Sequence, residues 1–362
     1  MKTKIKIIAV FTFAVFACVF LAEKGKTQTK QTVETAGQKF KNIKVLNDMP
    51  ADQLGKVMNI MAASLNVKCD FCHVGEDFAK DGKEEKETAR EMIKMNFDLN
   101  KNYFNGRPEI SCNTCHQGHA HPQSGINLYQ TGLSGHDERP KQPDTKPTID
   151  AILAKYETAI GGKANVEKVT SREIKAQRVE PDGKTTEDEI ILQKGAKFSA
   201  QTTYVSKEKG NYVVKEIFDG TTAQKFGNGE AIQLKMDELE QIKREGQLFG
   251  NTNLKAVYTK MDFRFVDKID EKEVYVVTAS TADNVRERLY FDVQSGLLVR
   301  RIAATPTVLG AFNYQVDYTD YKDFGGVKLP TTVKYAVPGI RWTRKVLDVK
   351  NNAVIDDAKF VK

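Results

Sequence analysis

Two five-residue motifs constrain this chain more than anything else in it: Cys69-Asp70-Phe71-Cys72-His73 and Cys112-Asn113-Thr114-Cys115-His116. Each places two thiols three positions apart, followed at once by an imidazole. Only five of the 362 residues are His, so a His directly behind both pairs is expected by chance on the order of once in five thousand such chains. Two thiols at this spacing can each add to a vinyl group of a porphyrin and fix the ring by thioethers. The next residue then lies under the ring with a nitrogen able to bind iron. The spacing therefore predicts two covalently attached haem c groups (iron), held by Cys69, Cys72, Cys112 and Cys115, with His73 and His116 as proximal metal ligands.

Other uses of four cysteines explain less. A structural zinc site would not require His behind each pair, and the interval from Cys72 to Cys112 is long for a ribbon or knuckle. Thioredoxin-like redox centres would need a βαβ context that neither flank offers. A plain disulfide framework leaves the two histidines unexplained.

The compartment is consistent with the motifs. Lys2, Lys4 and Lys6 precede the apolar run Ile7 to Ala22, after which the chain turns polar, the pattern of an export signal over residues 1–22. Such a segment is either cleaved or kept as a membrane anchor, since Phe20 is bulky for a small-x-small cleavage site. Cys18 raises a third option, lipidation, against which Phe16-Ala17-Cys18 is a poor lipidation box; the other reading is a small apolar residue of the segment. The expected location is exported and periplasmic, free or anchored through the N-terminus. The formal charge of +7 falls to +4 once Lys2, Lys4 and Lys6 are set aside, too mild to argue for nucleic acid as a partner.

Low-spin electron-transfer haems take a second axial ligand, usually Met or His. Ala51 to Leu65 carries Leu54, Val57, Met58, Met61 and Leu65 at helical spacing, just before the first motif. A second helix, from about Lys83 to Asn102, carries Met92, Met95 and Leu99 on one face before the second motif. Four of the eight methionines of the chain thus fall on the two helices that precede the motifs. Either member of each pair could be a ligand; otherwise it packs as core. His119 and His121 follow the second motif closely and could make a bis-His site instead, though their polar loop flank favours exposed histidines; His136 reads as solvated.

The stretch from about Lys39 to Gly118 resembles the photosynthetic reaction-centre cytochrome c subunit family, whose haem units consist of a helix with the axial Met, a turn, and CxxCH. Here these are Met58-Asn59-Ile60-Met61 with Leu65 to Cys69, and Met95 to Tyr103 with Cys112. The resemblance implies Met58 and Met95 as the metal-ligand positions, with Met61 and Met92 as packing neighbours. It also implies a membrane or reaction-centre-like complex as a setting. Named members hold four haems, whereas this sequence has two motifs, which favours a dihaem electron carrier over photosynthesis as such.

Residues 122–147, with Pro122, Pro140, Pro143 and Pro147, read as an extended linker. Thr148 then caps a helix from Ile149 to Ile160 that Gly161-Gly162 ends, and Ala164 to Val169 suggests a further short turn. From Ser171 the pattern is β-branched and aromatic: Tyr212–Phe218, Glu273–Val277, Arg288–Phe291 and Leu297–Arg300. Asp292 to Gly296 and Asp323 to Gly326 are turn signals, and the polar stretch Ala231 to Glu245 is expected to be helical. The hairpin around Tyr290 to Arg300 and the run Asp320 to Pro330 resemble the outer-membrane lipoprotein-sorting half-barrel family. That resemblance implies an apolar concavity for an acyl chain or a partner segment.

The fold expected is α+β and multidomain: a mostly α-helical dihaem cytochrome c domain over 39–121, and a curved, half-barrel-like antiparallel β-sheet with helices over 148–362. The function expected is electron transfer between redox protein partners, a donor and an acceptor, with no catalytic residues. A peroxidase-like dihaem enzyme, or a lipid- or partner-binding β-domain with an accessory cytochrome module, are the alternatives.

Overall fold

The computed structural model describes residues 34–122, 140–184, 186–206, 210–234, 242–243, 248, 252–282 and 285–361. The leading segment with Cys18, the middle of the linker with His136, and most of 235–251 lie outside the described residues.

The helical part begins with α1 (Ala36–Lys39), whose N-cap Thr35 and Gln38 bond each other's backbone N–H groups in a capping box. α2 (Leu54–Leu65) follows a 3-10 turn at Ala51–Gln53. Asn66 ends α2 in the left-handed region (φ 55°), and the Val67 N–H closes back onto the Ala62 carbonyl at 3.0 Å. α3 (Glu84–Tyr103) has Glu84, Glu85 and Glu87 in its first turn and Lys101 in its last, charges that suit the helix dipole at both ends. α4 (Cys112–His116) is a single turn. These pieces share a small core of Ala36, Leu46, Met49, Val57 and Ile93, and a sixth member, Leu309, comes from far along the chain.

α5 (Ile149–Ala159) is capped by Thr148, whose hydroxyl accepts from the Ala151 N–H. At its end Gly161 has φ 115°, and a Cβ there would lie 1.9 Å from the Gly326 carbonyl oxygen. Only glycine allows the close approach by which the Lys328 N–H reaches the Ile160 carbonyl. α6 (Lys163–Glu167) leads into the sheet.

The strands are β1 (Ser171–Val179), β2 (Thr186–Lys194), β3 (Lys197–Ser206), β4 (Gly210–Phe218), β5 (Ala223–Gly227), β6 (Glu230–Ile232), β7 (Lys260–Ile269), β8 (Lys272–Ser280), β9 (Arg286–Asp292), β10 (Leu298–Thr307), β11 (Gly310–Asp323), β12 (Lys328–Val337) and β13 (Ile340–Asn351), with α7 (Leu254–Val257) between β6 and β7. All thirteen form one antiparallel sheet in the order β6-β5-β4-β3-β2-β1-β13-β12-β11-β10-β9-β8-β7, and it is not closed. The chain steps by hairpins from β1 out to one edge, crosses to the other edge, and steps back until β13 pairs with β1. The α+β class follows. The stretch expected to be helical from Ala231 opens instead as β6, because Phe226 pairs with Ala231 and Gly227 with Glu230 around a tight turn.

The α5 residues Ile152, Leu153, Tyr156 and Ile160 pack on Leu289, Phe291, Leu298 and Val316 of the sheet, with Tyr156 and Phe291 edge to face at 5.5 Å. The free edge of β7 is partly closed by Gln142: its amide donates to the Val266 carbonyl and accepts from the Val266 N–H. One side chain thus stands in for a pairing strand.

Candidate functional site

The first motif follows directly on the left-handed end of α2. Cys69–Phe71 is a 3-10 turn, and the His73 N–H donates to the Cys69 carbonyl at 3.0 Å. All five motif residues therefore lie on about one helical turn, which puts thiols at i and i+3 on one side. Cys69 is exposed and Cys72 half-buried, and both are free thiols. Burial, helped by Glu85 and opposed by Lys83, pushes the Cys72 thiol up. An open depression of about 720 Å³ lies beside the turn, lined by Val67, Lys68, Asp70, Phe71 and the start of α3.

The tautomer of His73 follows from its partner. Nδ1 sits 3.1 Å from the Phe78 carbonyl oxygen. A carbonyl only accepts, so Nδ1 carries the proton and the neutral ring keeps its lone pair on Nε2. Burial, reinforced by Lys86 and Arg90, lowers the His73 pKa and favours that neutral form. Phe78 also stands edge-on to the imidazole at 5.2 Å.

The second motif is α4 itself. Ser111 precedes it, and its N–H donates to Thr114 Oγ1 at 3.0 Å. His116 Nδ1 lies 3.0 Å from the His119 carbonyl oxygen, so the same reasoning puts the free lone pair on Nε2. Cys112 is half-buried, which raises its thiol pKa, and Cys115 is exposed. The His119 and His121 imidazoles are exposed.

Polar frames hold both turns, and none of their members was evident from the sequence. After His73 the loop folds back on Asp81, whose carboxylate receives Arg90 (2.9 Å), Lys44 (3.0 Å), Lys86 (3.1 Å) and Asn42 (2.9 Å). These donors, Arg90 foremost, hold Asp81 well below the usual carboxylate range. Lys86 also donates to the carbonyls of Phe78, Ala79 and Lys80, so one carbonyl serves both His73 and Lys86. Before the second motif, buried Asn96 and Asn100 of α3 donate to the Ile110 carbonyl, and the Ile110 N–H donates back to Asn100 Oδ1. The Gly118 N–H donates to the Ser64 carbonyl at 2.8 Å, which ties the end of the second motif to α2. The i, i+4 pair of asparagines in a helix was the one available sequence signal.

The methionines divide. Met58 and Met61 are half-buried and pack on the core around Val57 and Ile93. Met92 and Met95 are 40% and 45% exposed. α3 buries Arg90, Ile93, Asn96 and Asn100 along one line and presents Met92, Met95 and Tyr103, all exposed, along the next.

Among the described residues no three His, Cys, Asp or Glu side chains gather closely enough to hold a metal ion by themselves, so the two cysteine pairs do not share one zinc-type cluster. What each turn offers is a pair of thiols at i and i+3 and an imidazole with Nε2 free. That donor set suits a haem bound through both thiols.

The sheet contains a second cavity, of about 240 Å³. The resemblance implied an apolar concavity; this one is mixed, with Arg178, Glu189, Glu216, Lys225 and Arg344 beside Ala200, Tyr204, Val214, Ile242, Tyr314 and Trp342. Arg344 is paired to Glu189 through two bonds of 2.5 and 2.7 Å, and Arg178 lies over the Trp342 ring at 4.4 Å. On β1, β2 and β13 the residues facing this cavity include the matched charges Arg178, Glu189 and Arg344.

Paired CxxCH turns on a small helical scaffold are the mark of c-type cytochromes. Residues 18–125 match the family model described as photosynthetic reaction centre cytochrome C subunit. A photosynthetic reaction center cytochrome c subunit from Roseobacter denitrificans (strain ATCC 33942 / OCh 114) is 30% identical over 95 residues, which are 24% of this chain and 26% of that protein. The match thus spans about a quarter of the relative's length. Among solved structures, a LolA superfamily protein from Nitrosomonas europaea is 16% identical with a TM-score of 0.42, over 60% of this chain and 99% of that one. A putative outer membrane lipoprotein-sorting protein domain from Vibrio parahaemolyticus is 9% identical with a TM-score of 0.40, over 57% of this chain and 95% of that one. The N-terminal part therefore resembles a cytochrome c family, for which electron transfer through covalently bound haem is what the resemblance implies.

Proposed function

We propose that the chain is an exported dihaem c-type cytochrome that passes electrons between redox protein partners, a donor and an acceptor. The observation that carries this reading is the repeated turn: in both motifs two thiols sit at i and i+3, and the following His spends Nδ1 on a nearby carbonyl and keeps Nε2 free.

In this reading Cys69 and Cys72 hold one haem and Cys112 and Cys115 the other, with His73 and His116 as proximal ligands. Met58 and Met95 are the distal ligands, and Met61 and Met92 their packing neighbours. The haem, when bound, supplies a reversible one-electron iron couple. The chain supplies the rest. The Phe78 and His119 carbonyls fix the orientation and tautomer of the imidazoles and make them better donors. The Asp81 cluster holds the loop that carries the Phe78 carbonyl. Asn96 and Asn100 hold Ile110, and with it the start of the second turn. The exposed Met92, Met95 and Tyr103 of α3 would give a bound ring apolar cover against water.

The protein works in the periplasm, free or held by its N-terminal segment. No helix of the described residues is long and apolar enough to cross a membrane. Haem quantified per polypeptide on chain exported through c-haem maturation tests the proposal. Two covalent haems, one lost in Cys69→Ala/Cys72→Ala and the other in Cys112→Ala/Cys115→Ala, are expected.

A further inference from the structure

Leu309 occupies the tip of the β10–β11 hairpin and is 0% exposed, yet its burial is not in the sheet's own core. It lies in the cluster of the helical part, with Ala36, Leu46, Met49, Val57 and Ile93, and Met58, Met61 and Phe97 pack against that cluster. Its neighbour Val308 is 38% exposed, so the tip is not generally greasy; one side chain is inserted. The turn is stiff: the Thr307 hydroxyl donates to the Gly310 carbonyl at 2.6 Å and accepts from the Leu309 N–H. Gly310, at φ 121°, sits so close to the helical part that a Cβ would come within 3.2 Å of the Ser111 Cβ, and Ser111 is the residue that starts the second CxxCH turn.

We propose that this hairpin tip is a working part of the haem-binding half. Leu309 is a positioning residue: buried in one cluster with Val57 of α2 and Ile93 of α3, it sets how α2 presents Met58 and Met61. The inference rests on the electron-transfer reading for its consequence but not for its contact. The sheet is then not an appendage on a flexible tether, because the helical core is incomplete without a residue some 200 positions beyond α3. Replacing Leu309 by Ala leaves a cavity in the cluster it shares with α2 and α3.

The test uses the full chain with Leu309→Ala, Leu309→Val and Leu309→Met, read in two ways. Amide hydrogen exchange over Leu54–Leu65 reports the contact whether or not haem is bound. The ferric methionine–iron charge-transfer band and the midpoint potentials report the positioning. In Leu309→Ala, exchange in α2 should rise about tenfold or more, strands β1 to β4 should be unchanged, and the band should weaken. Leu309→Val should fall between, and Leu309→Met, which conserves volume, should restore both. Wild-type exchange in α2 of Leu309→Ala overturns the contact. Faster exchange with an unaltered band and potentials overturns the positioning role. If Leu309→Ala does not accumulate, the same readings on Leu309→Val decide. If the unsubstituted chain itself carries no covalent haem, the electron-transfer reading has failed, and exchange alone still decides whether Leu309 holds α2.

Discussion

His73 Nδ1 lies 3.1 Å from the carbonyl oxygen of Phe78, and that oxygen also accepts from Lys86. A cation is therefore joined to the imidazole through one shared acceptor, on a loop that Asp81 pins to Lys44, Lys86 and Arg90. The environment of the first motif is set by Phe78, Asp81, Lys86 and Arg90 beyond it in sequence, and by Lys44 before it, as much as by the motif itself.

Asp81 gives a pH dependence with a definite sign. Its pKa in the folded chain is depressed by its donors. Its contribution to stability is thus fully present above the ordinary carboxylate range and is lost as pH falls through and below that range. Acid titration followed by amide exchange in residues 74–83 should show the loop loosening before the sheet. Asp81→Asn should loosen it at neutral pH and remove that part of the pH dependence.

Asn100 is 5% exposed; it shares the Ile110 carbonyl with Asn96 and alone accepts from the Ile110 N–H. Asn100→Ala leaves that N–H without its acceptor and should destabilise the chain by about 1–3 kcal/mol in thermal unfolding. The spectrum of the second haem should change more than that of the first.

Substituting the methionines singly separates ligand from neighbour. Met58→Ala and Met95→Ala should each remove the methionine–iron band of one haem, while Met61→Ala and Met92→Ala keep both bands. Met61→Ala should also lower stability, because its side chain packs on the buried core, whereas Met92, 40% exposed, should matter less.

In the sheet, Glu189 is 5% exposed and paired to Arg344 by two bonds. Arg344→Ala leaves a buried carboxylate without that guanidinium and should cost about 3–5 kcal/mol. The double variant Glu189→Leu/Arg344→Met should recover much of this in denaturant unfolding.

Local pattern was legible in the sequence where a short stretch decides its own structure. The helix expected over Lys83 to Asn102 is α3, Thr148 caps α5, and the turn at Asp292 to Gly296 joins β9 to β10, because period, cap and turn chemistry are all local. Partners distant in sequence were not legible. Asp81 gathers Asn42 and Lys44 from nearly 40 residues upstream, and Leu309 crosses from a hairpin into another core. No periodicity encodes either. Ala231 misled because its polar neighbours suit a helix, while the tight turn at Asn228-Gly229 makes it the return strand of a hairpin.

The central claim is that two haems are covalently held. A pyridine haemochrome assay of the exported full chain, quantified per polypeptide, tests it directly. The account predicts two haems per chain, falling to one in Cys69→Ala/Cys72→Ala and to none when Cys112→Ala/Cys115→Ala is added. A chain that matures with no covalent haem, or whose haem survives loss of all four cysteines, would contradict it.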